Sequence, residues 1–247
     1  RDLVRSRGLG DVYKRQGYRK AINLPHLSGS ALKVIAIISM VVDHCAYYLM
    51  EHDTLLYEGM RCFGRIAFPV FAFLVAEGFR YTRNRMRYFL QLLFFAVISE
   101  VPWYLLNGAD GTHNVMFTLA LGVVALAAFE KLKKDGTLCC CVILLIAFIA
   151  TWSEVDYEWR GILVIVVFYL FGVSDKISFP FSKMMQLLCA FPLMTYYGAW
   201  GALLVCFILF LYNGVRGFIN GSVAKYGFYV FYPLHLFIIF AITKKMV

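Results

Sequence analysis

Charge is what this sequence has least of. Only 16% of its 247 residues are Asp, Glu, Lys or Arg, where an ordinary soluble domain carries about 25%. A chain so poor in charge cannot cover a water-soluble globule, which excludes a soluble enzyme built on one packed core. Proline is sparse too, at six residues, and with the apolar bias this excludes a disordered chain. The seven cysteines (Cys45, Cys62, Cys139, Cys140, Cys141, Cys189 and Cys206) are odd in number and lack the paired spacing of metal sites or disulfide scaffolds. They read as small polarizable residues in apolar runs, and no metal is expected. A phosphate-binding Walker loop, a dinucleotide glycine motif, a serine-nucleophile elbow and any fixed-period repeat are also missing.

What is present is membrane composition. Apolar residues reach 61% and aromatics 17%, with a mean hydropathy of +0.70. Nine apolar runs are candidates to cross a bilayer: 31–50, 62–79, 88–106, 114–130, 138–152, 160–173, 184–197, 199–212 and 226–243. The expected fold is an all-α polytopic bundle of about nine transmembrane helices, forming a single domain over 31–247 with the lipid bilayer as its first partner. The formal charge is +9, of which Arg1 to Lys20 contribute +5. Residues 1–16 have neither an amphipathic period nor a signal-peptide core, and they resemble translated adapter sequence. The native chain is therefore expected to begin after Gln16, with 17–30 as a cytoplasmic segment. Because the basicity is mostly a tail feature, no nucleic-acid partner is expected.

The connecting segments alternate in charge. RYTRNRMR, EKLKKDG, SDKISFPFSK and NGVRGFINGSVAK are basic, whereas EHDTLLYEGMR, NGADGTH and SEVDYEWR are acidic or carry little positive charge. The positive-inside rule puts the first group and the N-terminus in the cytoplasm, consistent with a multi-pass protein of a bacterial inner membrane. Lys244 and Lys245 then fall on the outer side, a mild violation.

Ionisable groups inside spans cost a few kcal/mol, so they face cavities or partner helices when they persist. Asp43 and His44 lie in the first span, Arg65 in the second, Glu100 in the third, His113 and Asn114 at the mouth of the fourth, and His235 in the last. All fall at mid-membrane or in the outer half, which points to a shared outward-opening cavity. Helical spacing aligns Asp43 with Ser39 and Tyr47, and His44 with Met40 and Tyr48, so the two neighbours need separate partners. Arg65 is the expected cation for Asp43 or Glu100, and these three also suit a purely structural ion-pair cluster. Thr118 shares a face with Asn114, and Tyr232 with His235. Pro69 and Pro233 leave the carbonyls of Arg65 and Tyr229 without their helical donors, so kinks are expected there. Mid-membrane Asp, Glu and His also suit a proton-coupled small-molecule transporter, although the inverted repeats common in such folds are not visible.

Six stretches taken in order resemble the TraX family of integral-membrane acetyltransferases, known for acetylating the N-terminus of F pilin. They are LKVIAIISMVVDH (32–44), GRIAFPVFAFLVAEGFRYTRN (64–84), FFAVISEVPW (94–103), NVMFTLALG (114–122), DYEWRGILVIVVFYLF (156–171) and KYGFYVFYPLHL (225–236). The resemblance implies an acetyl-CoA co-substrate and an acceptor amine or hydroxyl, on a protein N-terminus, a glycan or a small molecule. It also implies that Asp43, His44, Arg65, Glu100, Asn114, Asp156 and His235 line the functional site. Within such a reaction His44 is the first choice for the base, ahead of His113 and His235, because an imidazole with a pKa of about 6.5 suits deprotonation of an amine. Arg65 or Asn114 would steady the thioester oxyanion, and Asp43 or Glu100 would fix Arg65 or hold the acceptor. His113, Asn114, Thr118, Asp156, Tyr232 and His235 are expected to bind substrate. Arg80, Arg83, Arg85 and Arg87 are expected to meet the CoA phosphates.

Overall fold

A computed structural model describes residues 26–172, 179–219 and 221–246. The adapter-like stretch 1–16 and most of the segment 17–30 lie outside the described residues. The described residues form ten helices: α1 (Gly29–Leu49), α2 (Leu55–Gly64), α3 (Ala67–Tyr81), α4 (Arg85–Asn107), α5 (Val115–Leu132), α6 (Gly136–Trp152), α7 (Glu158–Gly172), α8 (Phe179–Thr195), α9 (Ala199–Phe210) and α10 (Ser222–Met246). Many start where the sequence supplies a cap. Ser28, Thr54, Asn84, Asn114 and Asp135 each accept a hydrogen bond from a first-turn N–H of the helix that follows.

Each of the nine apolar runs lies on a helix, and α2 and α3 together carry the second. That run begins earlier than its hydropathy suggests and breaks between Gly64 and Ala67 rather than bending gently. Pro69, in the first turn of α3, cannot donate to the Arg65 carbonyl, so the chain restarts there. Pro233, by contrast, sits inside an uninterrupted α10. Among the described residues, five segments are long and apolar enough to cross a membrane: Gly29–Leu49, Leu55–Tyr81, Arg85–Asn107, Val115–Leu132 and Tyr226–Lys245. Gly136–Trp152 and Ala199–Phe210 are shorter apolar helices.

Packing follows membrane rather than aqueous logic. Large apolar side chains such as Phe94, Val97, Leu144, Phe148 and Phe207 point outward, while Ala36, Ala72, Ala76, Ala96, Ala120 and Ala202 are buried between helices. In lipid the apolar exterior has nothing to escape from, and close helix approach over small residues provides the cohesion. Gly161 lets α7 lie directly on Thr118 and Phe68, where an added Cβ would collide.

End contacts define two poles. At the basic pole Leu27 pairs with Tyr212, Arg85 reaches Glu130, and Lys183 donates to the Phe210 and Tyr212 carbonyls. At the acidic pole Tyr48 meets Asn107, His113 pairs with Val155, and Tyr197 packs on Tyr157. The chain is an all-α, multi-pass membrane bundle.

Candidate active site

A cavity of about 1330 Å³ runs through the bundle. On α1 it is lined by Gly29, Lys33, Ile37, Met40, His44 and Tyr48, a stripe stepping three or four residues at a time along nearly the whole helix, joined near its acidic end by Asp43 and Tyr47. From Gly29 to Tyr48 this stripe is about 29 Å long, close to a hydrocarbon core of about 30 Å. Opposite it α3 contributes Phe68, Phe71, Val75 and Gly78. The cavity therefore reaches both poles. Lys33 and Arg216 line it at the basic pole with Glu77, and Asp110, Glu154, Asp156 and Glu158 line it at the acidic pole.

His44 stands in this passage and its partner is His235. The His44 Nδ1 atom lies 2.7 Å from His235 Nε2, with the rings within 3° of parallel. His235 Nδ1 is 3.0 Å from the Phe231 carbonyl oxygen. A carbonyl only accepts, so His235 carries its proton on Nδ1. For two neutral rings, His235 Nε2 then accepts from His44 Nδ1–H, and the free lone pair of the pair is His44 Nε2. The Tyr229 carbonyl, which Pro233 leaves unpaired, is not the group that holds His235.

Asp43 points to a different neighbour, as its helical position requires. Its carboxylate pairs with Arg61 at 2.7 Å, and not with Arg65 as the sequence suggested. Gly64 makes this possible, because its missing Cβ leaves room for the Asp43 side chain. Arg65 lines the cavity between the charges of Asp43 and Asp156. Among the described residues its guanidinium forms no hydrogen bond or ion pair.

Glu100, His113 and Asn114 gather elsewhere. His113 Nδ1 is 2.5 Å from one Glu100 oxygen and the Asn114 amide donates to the other at 2.6 Å. The same amide donates to the Ala96 carbonyl, and its oxygen accepts from Met116 N–H to cap α5. None of the three lines the cavity, so Glu100 does not face Arg65 and the Asn114 amide is committed to the frame. What they frame is Asp156. His113 N–H donates to the Glu154 carbonyl, Asp156 N–H donates to the His113 carbonyl, and the Thr118 hydroxyl donates to the Asp156 carbonyl. Glu154, Tyr157 and Glu158 are all held at positive φ in this segment, an uncommon state for side-chain-bearing residues that concentrates at functional sites. Burial pushes the Asp156 carboxyl up to about 7, against the opposing pull of the Tyr157 backbone and the Arg65 charge.

Arg80, Arg83, Arg85 and Arg87, which run from the last turn of α3 into α4, do not line the cavity. Arg80 is tied to Glu77 at 2.6 Å and lies over Tyr169, while Arg85 approaches Glu130 and covers Phe79. Arg83 and Arg87 are exposed. Lys33 and Arg216 are the basic side chains that line the cavity at the basic pole, and sequence reading singled out neither. Lys33 was findable, since it is eleven residues before His44 on the same helical stripe, whereas Arg216 arrives from a distant loop. Arg61 was passed over because it looked like the edge of an outer loop. Among the described residues no cluster of three potential metal ligands occurs.

Residues 28–243 match the TraX family, described as TraX protein. A probable fimbrial assembly protein of Dichelobacter nodosus, FimC of serogroup H1, is 32% identical over 230 residues, covering 85% of this chain and 93% of the relative. An uncharacterized protein of Rickettsia prowazekii (strain Madrid E) is 29% identical over 142 residues, covering 56% of this chain and 52% of that protein. No solved structure matches. The family match spans α1 to α10 and takes in His44, which lines the cavity, and His235, which pairs with it from outside the lining: this chain belongs to the TraX family.

Proposed function

We propose that this protein is a membrane-embedded acetyltransferase that moves an acetyl group from acetyl-CoA to an acceptor amine or hydroxyl arriving from the opposite side of the membrane. The observation that carries the reading is a passage reaching both poles of the bundle with one unshared imidazole nitrogen inside it. The basic pole faces the cytosol of a bacterial inner membrane under the positive-inside rule, and cytosol is where acetyl-CoA is made. Lys33 and Arg216 meet the CoA phosphates, and the thin pantetheine arm follows α1 inward. From Gly29 to His44 the helix rises about 22 Å, a depth suited to an extended arm. The acceptor comes through the acidic, tyrosine-lined mouth.

His44 Nε2 removes the proton from the acceptor as its nitrogen or oxygen attacks the thioester carbonyl. When the tetrahedral adduct collapses, the carbon–sulfur bond breaks and the proton passes to the CoA sulfur. His235 keeps the His44 ring oriented and its tautomer set, the role an orienting partner plays beside any catalytic imidazole. The pairing of Asp43 with Arg61 holds α1 against α2, so that His44 stays on the cavity side. The fimbrial assembly name of the Dichelobacter relative favours a protein acceptor, a fimbrial subunit N-terminus among them.

The test uses the purified protein in proteoliposomes with acetyl-CoA and alaninamide as the acceptor probe. Release of CoA together with acetyl-alaninamide, abolished in His44→Ala, is expected. Neither transfer nor acetyl-CoA hydrolysis, combined with pH-driven solute uptake, would replace this reading with a proton-coupled transporter.

A further inference from the structure

The arginines between α3 and α4 divide into two kinds. Arg80 is answered by Glu77, and Arg85 by Glu130, which also takes Lys133. Arg83 and Arg87 are exposed, and among the described residues neither guanidinium has a hydrogen bond or an ion pair. Arg87 lines a groove of about 560 Å³ between α4 and α10 that shares no lining residue with the central passage. The stack of Phe95 in the groove on Tyr229 in the passage, with ring centroids 5.2 Å apart, divides the two.

The groove is graded from polar to apolar. Asn84 and Arg87 stand at its basic end, and Gln91 bridges the two helices by donating to the Tyr226 hydroxyl oxygen at 2.9 Å. Leu90, Phe94 and Phe95 line it further along α4, with Leu90 and Phe94 exposed. From Arg87 to Phe94 the helix rises about 10 Å, the step from headgroup level into hydrocarbon. An occupant that suits both ends has an anion on a hydrocarbon chain. No acidic residue is among the lining, so a headgroup ammonium would find no counterpart there. A second copy in the same membrane orientation would bring its own basic pole to this level, which charge disfavours.

We propose that this groove binds an anionic phospholipid of the cytoplasmic leaflet, with Arg87 holding the headgroup phosphate and an acyl chain lying along Leu90 and Phe94. Basic pockets between helices on the cytoplasmic side are the usual form of such sites. The lipid fills the seam between α4 and α10, the helix that carries His235, so its binding stabilises the bundle. The two arginines left over from the acetyl-CoA site thereby gain a use in the membrane itself. This inference stands independently of the acetyltransferase reading.

The experiment titrates the purified chain in neutral detergent with short-chain phosphatidylglycerol and follows the melting temperature, which rises with occupancy of a site present only in the folded state. Phosphatidylcholine with the same chains tests the headgroup charge, and glycerol phosphate tests the need for chains. A saturable rise with phosphatidylglycerol is expected, with a response at least several-fold weaker to either control. Arg87→Ala should raise the midpoint concentration about fivefold, the effect of one basic side chain at an anionic surface. Lys134→Ala removes an exposed cation at the same pole outside the groove and should leave the midpoint unchanged. Arg87→Ala should fold normally, since only the backbone N–H of Arg87 serves the cap of α4, and Arg87→Lys should recover most of the affinity. Equal responses to phosphatidylglycerol and phosphatidylcholine overturn the proposal. So does equal weakening by Arg87→Ala and Lys134→Ala, which would mean diffuse surface attraction. Displacement of the lipid by acetyl-CoA would return the groove to the CoA phosphates, and a dimer lost in Leu90→Gln would give it to a second copy; either result also overturns it.

Discussion

Two clusters in this molecule use the same residue types to opposite ends. His113, Glu100 and Asn114 meet where α4 and α5 join, and His44 and His235 meet between α1 and α10. In the first cluster the paired groups face one another: a carboxylate takes both a ring N–H and an amide, and the amide oxygen caps a helix. His113 also remains 45% exposed in its side chain, where water competes for it. In the second cluster the hydrogen-bond chain runs from a carbonyl through two rings and ends on an unshared nitrogen of His44, a residue that lines the cavity. A histidine becomes chemically available when its partners settle one nitrogen and leave the other, and only the second arrangement does this.

The sharpest way to break the comparison is at His44. His44→Ala should lower kcat by about 10²–10⁴-fold, the usual contribution of a general base, while acetyl-CoA binding persists. His44→Gln should do no better, because an amide cannot take the proton. His113→Ala should leave turnover of the folded protein near normal, and a dead His113 variant beside an active His44 variant would invert the assignment.

His235 sharpens the point by a smaller effect. A glutamine there can accept from His44 Nδ1–H and donate to the Phe231 carbonyl, reproducing the pairing without an ionisable ring. His235→Gln should retain far more activity than His235→Ala in steady-state assays. Equal losses would mean that His235 itself carries the proton.

The framing cluster should answer in stability. Glu100→Gln offers only one acceptor to two donors and leaves a hydrogen bond unmade, at a cost of about 1–3 kcal/mol. Thermal melting in detergent should detect it, with kcat per folded molecule kept. A large kcat loss at unchanged stability would move Glu100 into the chemistry.

Charge at the two ends gives the mildest effects. Lys33→Ala with Arg216→Ala should raise KM for acetyl-CoA several-fold and leave KM for alaninamide alone, whereas Arg83→Glu with Arg87→Glu should change neither. The opposite pattern would return the phosphates to the arginine-rich loop. At the other pole the folded protein holds the proton of Asp156 up to about pH 7, while the unfolded chain releases it near 4. The folded state therefore binds more protons across that window, so stability falls as pH rises from about 4 to about 7. Melting curves of Asp156→Asn should lose that slope, and an unchanged slope would show that Asp156 ionises freely.

Much of this was legible without coordinates. Nine apolar runs became helices because, in a bilayer, the backbone has few other ways to satisfy its hydrogen bonds, and hydropathy reports that constraint directly. The break before α3 was half legible: Pro69 forbids a donor to the Arg65 carbonyl, but whether the helix bends or restarts depends on how Gly64 packs against Asp43. Helical periodicity also gave Asp43 and His44 separate partners, Arg61 and His235, although both side chains line the cavity.

The sequence by itself determined the class of protein, the number of helical runs, the two charged poles and the presence of polar residues at depth, because each is set by local composition or by a period of 3.6. Only the tertiary structure decided which polar residues face one another. Arg61 rather than Arg65 reached Asp43, His235 reached His44, and Glu100 turned to the cap of α5. Those choices depend on the rotation and offset of helices distant in sequence, and in lipid these are fixed by small residues at the contacts, whose signal is too uniform along the chain to say which face meets which.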